Sequence, residues 1–115
     1  MEKVYTIEEL REIVRPIAQQ YRVERVFLFG SYARGEAERN SDIDLRIDGG
    51  AFDTLFAWGK LYADMEAALG KKLDLVMTDA LREKLRDSAE GDPVRIFIRN
   101  MKRDEVVLYE EQRPS

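Results

Sequence analysis

Val26-Phe27-Leu28-Phe29-Gly30-Ser31 and, after ten intervening residues, Asp42-Ile43-Asp44-Leu45-Arg46-Ile47-Asp48 form the stretch from which the rest of the chain can be read. The first run is four apolar residues closed by a glycine, the pattern of a buried strand that stops at a turn. The second alternates, with Ile43, Leu45 and Ile47 set against Asp42, Asp44, Arg46 and Asp48. Period two puts the two sets on opposite faces of a strand, one apolar and one charged. Gly49-Gly50 ends it. Between the two runs, Ser31 to Arg34 is long enough for one helical turn, closed by Gly35.

Outward from this stretch, helices alternate with strands. Thr6-Ile7-Glu8-Glu9 has the capping-box pattern, a hydroxyl at the cap and a carboxylate three residues on. Ile7, Leu10, Ile13, Val14, Ile17, Ala18 and Tyr21 then recur at helical spacing, and Pro16 is expected to interrupt that helix. Leu55, Trp58, Tyr62, Met65 and Leu69 carry a second helical stripe closed by Gly70. Leu73 to Met77 reads as a third strand, with Thr78 or Asp79 as the cap of a helix through Leu81 and Leu85. Asp92-Pro93 is a cap followed by proline at the first helical position, and Val94, Phe97, Ile98 and Met101 supply the stripe. Val106 to Tyr109 reads as a last short strand, and the polar tail Glu110 to Ser115 is expected to fray. Residues 1–115 therefore read as one α/β domain, without repeat or linker.

Composition bounds the chemistry. The chain has 115 residues, with Lys plus Arg at 19, Asp plus Glu at 23 and a net charge of −4. Broad nucleic-acid binding needs a basic surface, which this balance does not provide. Cys and His are both absent. Disulfides, thiolate nucleophiles and imidazole bases are thereby excluded, and any metal is held mainly by oxygen, which favours Mg²⁺, Mn²⁺ or Ca²⁺ over zinc. Apolar runs such as Val26 to Phe29 are far short of a membrane span, and the first nine residues lack a signal-peptide apolar region. A cytoplasmic protein is expected.

Asp42 and Asp44 sit two apart on one strand face, roughly 6.6 Å between Cα atoms. Carboxylates that close can converge on divalent ions of the kind used in phosphoryl and nucleotidyl transfer. The plainer reading is a solvated strand face, since a chain with this much Asp contains about one Asp-x-Asp by chance. Gly30-Ser31 changes the balance. A strand that ends in Gly-Ser and opens a helical turn presents backbone N–H groups to an anion, with the Ser hydroxyl as an added donor. A simple turn at Gly30 and a helix cap at Ser31 are the alternatives. Arg34 lies one turn on, either within reach of phosphate or as a solvated surface residue. Gly30 and Gly35 have P-loop spacing, but Glu36-Ala37 follows where Lys and Ser/Thr are required, so there is no such loop.

Gly30-Ser31-Tyr32-Ala33-Arg34-Gly35 and Ser41-Asp42-Ile43-Asp44-Leu45 together resemble the signature of the minimal nucleotidyltransferases of the DNA polymerase β superfamily. In particular they are similar to the MNT-domain antitoxins paired with HEPN toxins. The resemblance is dense from Phe29 to Leu45, and it implies a small mixed sheet flanked by helices. It also implies a third carboxylate on a neighbouring strand, for which Asp74 is the match; otherwise Asp74 is a strand-edge Asp near Lys71 or Lys72. Asp42, Asp44 and Asp74 would then hold two Mg²⁺ ions (Mn²⁺ as an alternative), with ATP gripped by Gly30, Ser31 and Arg34. The implied reaction moves AMP to a hydroxyl, a tyrosine of a HEPN toxin, within a hetero-oligomer with that toxin. Neutralisation by contact without catalysis, and transfer to a small molecule or a nucleic-acid end, are the alternatives. Asp48 reads as peripheral, and Arg46 as a partner of Asp44 or Asp48 or as facing the nucleotide.

Overall fold

The computed structural model describes residues 3–112. Four strands, β1 (Val23–Phe29), β2 (Ile43–Gly49), β3 (Leu73–Met77) and β4 (Val106–Glu110), form one sheet in the order β3-β2-β1-β4. β1 pairs antiparallel with β2 and β4, whereas β2 and β3 run parallel, so the sheet is mixed. The helices are α1 (Ile7–Gln20), α2 (Gly30–Ala33), α3 (Leu55–Leu69), α4 (Thr78–Arg86) and α5 (Pro93–Asp104).

The alternation in β2 builds two layers. Ile43, Leu45 and Ile47 are essentially buried among Val26 and Leu28 of β1, Leu10, Val14 and Ile17 of α1, and Leu61, Met65 and Leu69 of α3. Phe29 faces the other way, into a smaller cluster with Ile98 and Met101 of α5, against which Val76, Leu81 and Leu85 pack. The charged face of β2 is therefore covered by α4 and α5 instead of solvated. Arg46 is 5% exposed there. Its guanidinium makes two hydrogen bonds to the Glu105 carboxylate at 2.8 and 3.0 Å, reaches Asp48 and Thr78 at 3.2 and 2.7 Å, and lies over the Phe27 ring. Of the alternatives for Arg46, pairing with Asp48 is the one realised, and Glu105 is the partner that sequence did not show.

The local signals hold with specific exceptions. The Thr6–Glu9 capping box forms with both reciprocal hydrogen bonds, and Asp92 caps α5. Pro16 does not interrupt α1, which runs continuously through it with the proline side chain exposed. Only a single donor is lost there, on the solvent side. Leu55 is 87% exposed and does not join the α3 stripe, because the helix docks through its C-terminal half. Neither Thr78 nor Asp79 caps α4; Met77 holds the cap position without a side-chain bond. The Thr78 hydroxyl donates to Asp48 instead. Glu110 is not frayed: it is the last residue of β4, paired with Arg25, and residues 113–115 lie outside the described part.

Candidate active site

β2 is flanked by β1 and β3, and the register sets Asp44 between Phe29 on one side and Asp74 on the other. Asp74 is the register partner of Asp44 on the neighbouring strand, and Asp74, Asp42 and Arg34 all act on Asp44 through charge. Burial first, and then the Asp74 carboxylate, push the Asp44 carboxyl up to about 6. A short sequence separation could not have shown this pairing, since the two residues meet only through the parallel register.

Gly30 lies directly against Asp44. It follows β1 with φ +74°, a conformation natural to glycine. A Cβ there would overlap Asp44 Oδ2 and sit 3.0 Å from its Cγ. The glycine is thus required twice, by its backbone angle and by the carboxylate it makes room for. The reading of Gly30 as a simple turn misses the second reason.

An open cleft of about 460 Å³ surrounds the pair, lined by Phe29, Gly30, Arg34, Asp44, Asp74, Val76, Phe97, Asn100, Met101 and Asp104. Of the expected site residues, Gly30, Arg34, Asp44 and Asp74 meet in it. Asp42 precedes β2 and Ser31 belongs to α2, and neither is part of the lining. Arg34 bonds Glu36 at 3.1 Å and lies 3.9 Å from Asp104, so its charge is shared between the cleft and two carboxylates. Asp74 is not the partner of Lys71, whose ammonium bonds the Arg39 carbonyl at 2.6 Å. The α5 wall, Phe97, Asn100 and Asp104, was missed by sequence reasoning. Asn100 and Asp104 signalled only the polar side of an amphipathic helix, which usually means solvent, and Phe97 only its apolar stripe, which usually means core.

The donor set fits a hard divalent cation. Every candidate ligand is a carboxylate oxygen, and crowding of Asp44 against Asp74 is a repulsion that a cation relieves. Among the described residues, no three Asp or Glu side chains are gathered closely enough to hold an ion by themselves. Mg²⁺ does not require that: it is commonly bound by one or two carboxylates, with water and substrate phosphate completing its octahedron.

A mixed sheet presenting paired carboxylates beside a Gly-Ser turn is the architecture of a nucleotidyltransferase, and the chain belongs to the polymerase beta nucleotidyltransferase family, which matches residues 12–102. It is a minimal member, with one sheet and its flanking helices. Protein adenylyltransferase MntA of Thermococcus cleftensis is 35% identical over 81 residues, covering 67% of this chain and 82% of that one. A solved protein provisionally described as a minimal nucleotidyltransferase superposes with a TM-score of 0.63 at 30% identity, over 89% of this chain and 95% of its own. The fold also recurs in the complex of a tri-AMPylated Shewanella oneidensis HEPN toxin with its MNT antitoxin. There the TM-score is 0.57 at 18% identity, over 92% of this chain and 74% of that one. No helix among the described residues is long and apolar enough to cross a membrane.

Proposed function

We propose that this nucleotidyltransferase moves AMP from ATP to a tyrosine hydroxyl of a HEPN-type toxin, and that it acts as the antitoxin of that pair in the cytoplasm. The observation that carries the reading is the Asp44–Asp74 pair, with Gly30 against Asp44, in an open cleft. The resemblance to a named protein adenylyltransferase supports the reaction, and the fold shared with a toxin–antitoxin complex supports the partner.

Asp42, Asp44 and Asp74 are the residues for two Mg²⁺ ions, which when bound neutralise phosphate charge and orient the α-phosphate. Gly30, Ser31 and Arg34 hold the departing pyrophosphate. Asp74 is exposed at the edge strand, where it meets an incoming acceptor and takes the hydroxyl proton. The acceptor oxygen bonds to the α-phosphorus as the bond to the bridging oxygen breaks, and pyrophosphate leaves. The cleft is open to the surface, which suits a protein acceptor better than a small molecule.

Toxin mixed with the protein, Mg²⁺ and ATP labelled on the α-phosphate is expected to take up label and release pyrophosphate. Asp44→Ala abolishes labelling and growth rescue while leaving the two proteins associated. Full rescue by that variant, with no label on toxin in the wild-type reaction, overturns catalysis and leaves neutralisation by contact.

A further inference from the structure

Two side chains of the cleft have no place in phosphate chemistry. Phe97 and Asn100 are three apart on α5, which puts them on one side of it, and both line the cleft. Phe97 is 47% exposed although it lines the cleft, and its ring meets Phe29 edge-on, centroids 6.1 Å apart and planes at 86°. Phe29 is itself buried and paired with Asp44, so the Phe97 ring is braced at a set orientation beside the carboxylates. Val76 and Met101 extend the apolar wall. Asn100 is the one neutral polar side chain of the lining, among Arg34, Asp44, Asp74 and Asp104. A wall bearing an aromatic face and an uncharged amide, in the same cleft as the carboxylates, suits a flat neutral ring and offers no charge to an anion.

Building on the nucleotidyl-transfer reading, we propose that Phe97 and Asn100 form the nucleobase subsite and that Asn100 selects adenine. The base stacks on the free face of Phe97. Adenine presents its N6 amino group beside N7, a donor next to an acceptor, and an Asn amide matches both: its carbonyl accepts from N6 and its NH₂ donates to N7. Guanine presents O6 and N7, two acceptors, and leaves the amide carbonyl without a donor. Discrimination between the purines then resides in one side chain. Stacking strength, which serves both purines, resides in the other.

The test is equilibrium binding of the non-reacting α,β-methylene analogues of ATP and GTP, by calorimetry in Mg²⁺, with no acceptor present. The wild type is expected to prefer the ATP analogue. Phe97→Ala weakens both analogues about tenfold, and Phe97→Trp restores them. Asn100→Ala weakens the ATP analogue about tenfold and leaves the GTP analogue nearly unchanged, so the preference collapses. Both side chains are substantially exposed, and circular dichroism confirms folding. Wild-type affinity and preference in the folded variants overturn the subsite while leaving nucleotidyl transfer in place. Intact analogue binding, with a raised KM for the acceptor when the same variants are run with labelled ATP and toxin, also overturns it and gives this wall to the acceptor. A wild-type protein that binds neither analogue overturns the subsite and the proposed reaction together.

Discussion

Residue 30 and Asp44 occupy adjoining space with no room for a single added carbon: a Cβ on Gly30 would overlap the Asp44 carboxylate. The turn that follows β1 and the acid on β2 are therefore one device. The glycine keeps the carboxylate where the register puts it, beside Asp74.

Gly30→Ala is expected to reduce nucleotidyl transfer at least a hundredfold while costing about 1–2 kcal/mol of stability, the penalty of a left-handed backbone on an L-residue. Displacement of Asp44 is what makes the activity loss exceed the stability loss. Ser31→Ala, outside the cleft lining, lowers activity only about tenfold. Urea denaturation and labelling rates on both variants separate the effects. A Gly30→Ala protein with full activity would show that the Asp44 position is not critical.

Stability of the metal-free protein depends on pH through Asp44. Its carboxyl titrates at about 6 in the fold against an ordinary value of 3.8, raised by burial and by Asp74. The native state thus holds a proton that the unfolded chain releases earlier, and stability falls as pH rises across that interval. Asp44→Asn removes the loss. Near neutral pH the variant is expected to be more stable than wild type by about 1 kcal/mol, a figure reduced for the partial exposure of the group. Below the ordinary carboxylate value the two converge. Urea midpoints in EDTA at several pH values check this, and a wild type that equals or exceeds the variant at neutrality contradicts it.

Arg46 is a buried cation shared by Glu105 and Asp48, so its removal strands the Glu105 carboxylate, while Asp48 keeps the Thr78 hydroxyl and Arg25 at 3.7 Å. Arg46→Met is expected to cost about 3 kcal/mol. Adding Glu105→Gln to that variant recovers part of the loss, since one stranded charge is gone. The denaturation midpoints of the single and double variants give the coupling, and strictly additive effects would mean that the pair does not interact.

Metal preference follows from the absence of His and Cys. Mg²⁺ or Mn²⁺ is expected to support activity, and zinc-selective chelators to leave it unchanged. Titration of Mg²⁺ against wild type and the Asp42→Asn/Asp44→Asn double variant tests the assignment. Equal affinity in both proteins removes these residues from the metal site.

Much of this molecule was legible residue by residue. The Thr6–Glu9 box, the alternation of β2 and the strand that stops at Gly30 depend on neighbours a few positions away, and local geometry settles them wherever the segment docks. Arg34 and Asp74 were legible as candidates, but whether each faced the cleft, a lysine or solvent was not.

The sequence by itself determined most of the elements and offered Gly30, Asp42 and Asp44 as candidates, because periodicity, capping and fixed spacing are short-range properties of the chain. Only the tertiary structure decided that the charged face of β2 is roofed by α4 and α5, that Asp74 stands against Asp44, that Glu105 closes on Arg46 from 59 residues away, and that Phe97 and Asn100 wall the cleft. Those contacts join strands in register and layers in packing. Their positions are set by the burial of the whole apolar core at once, a constraint that no single segment carries.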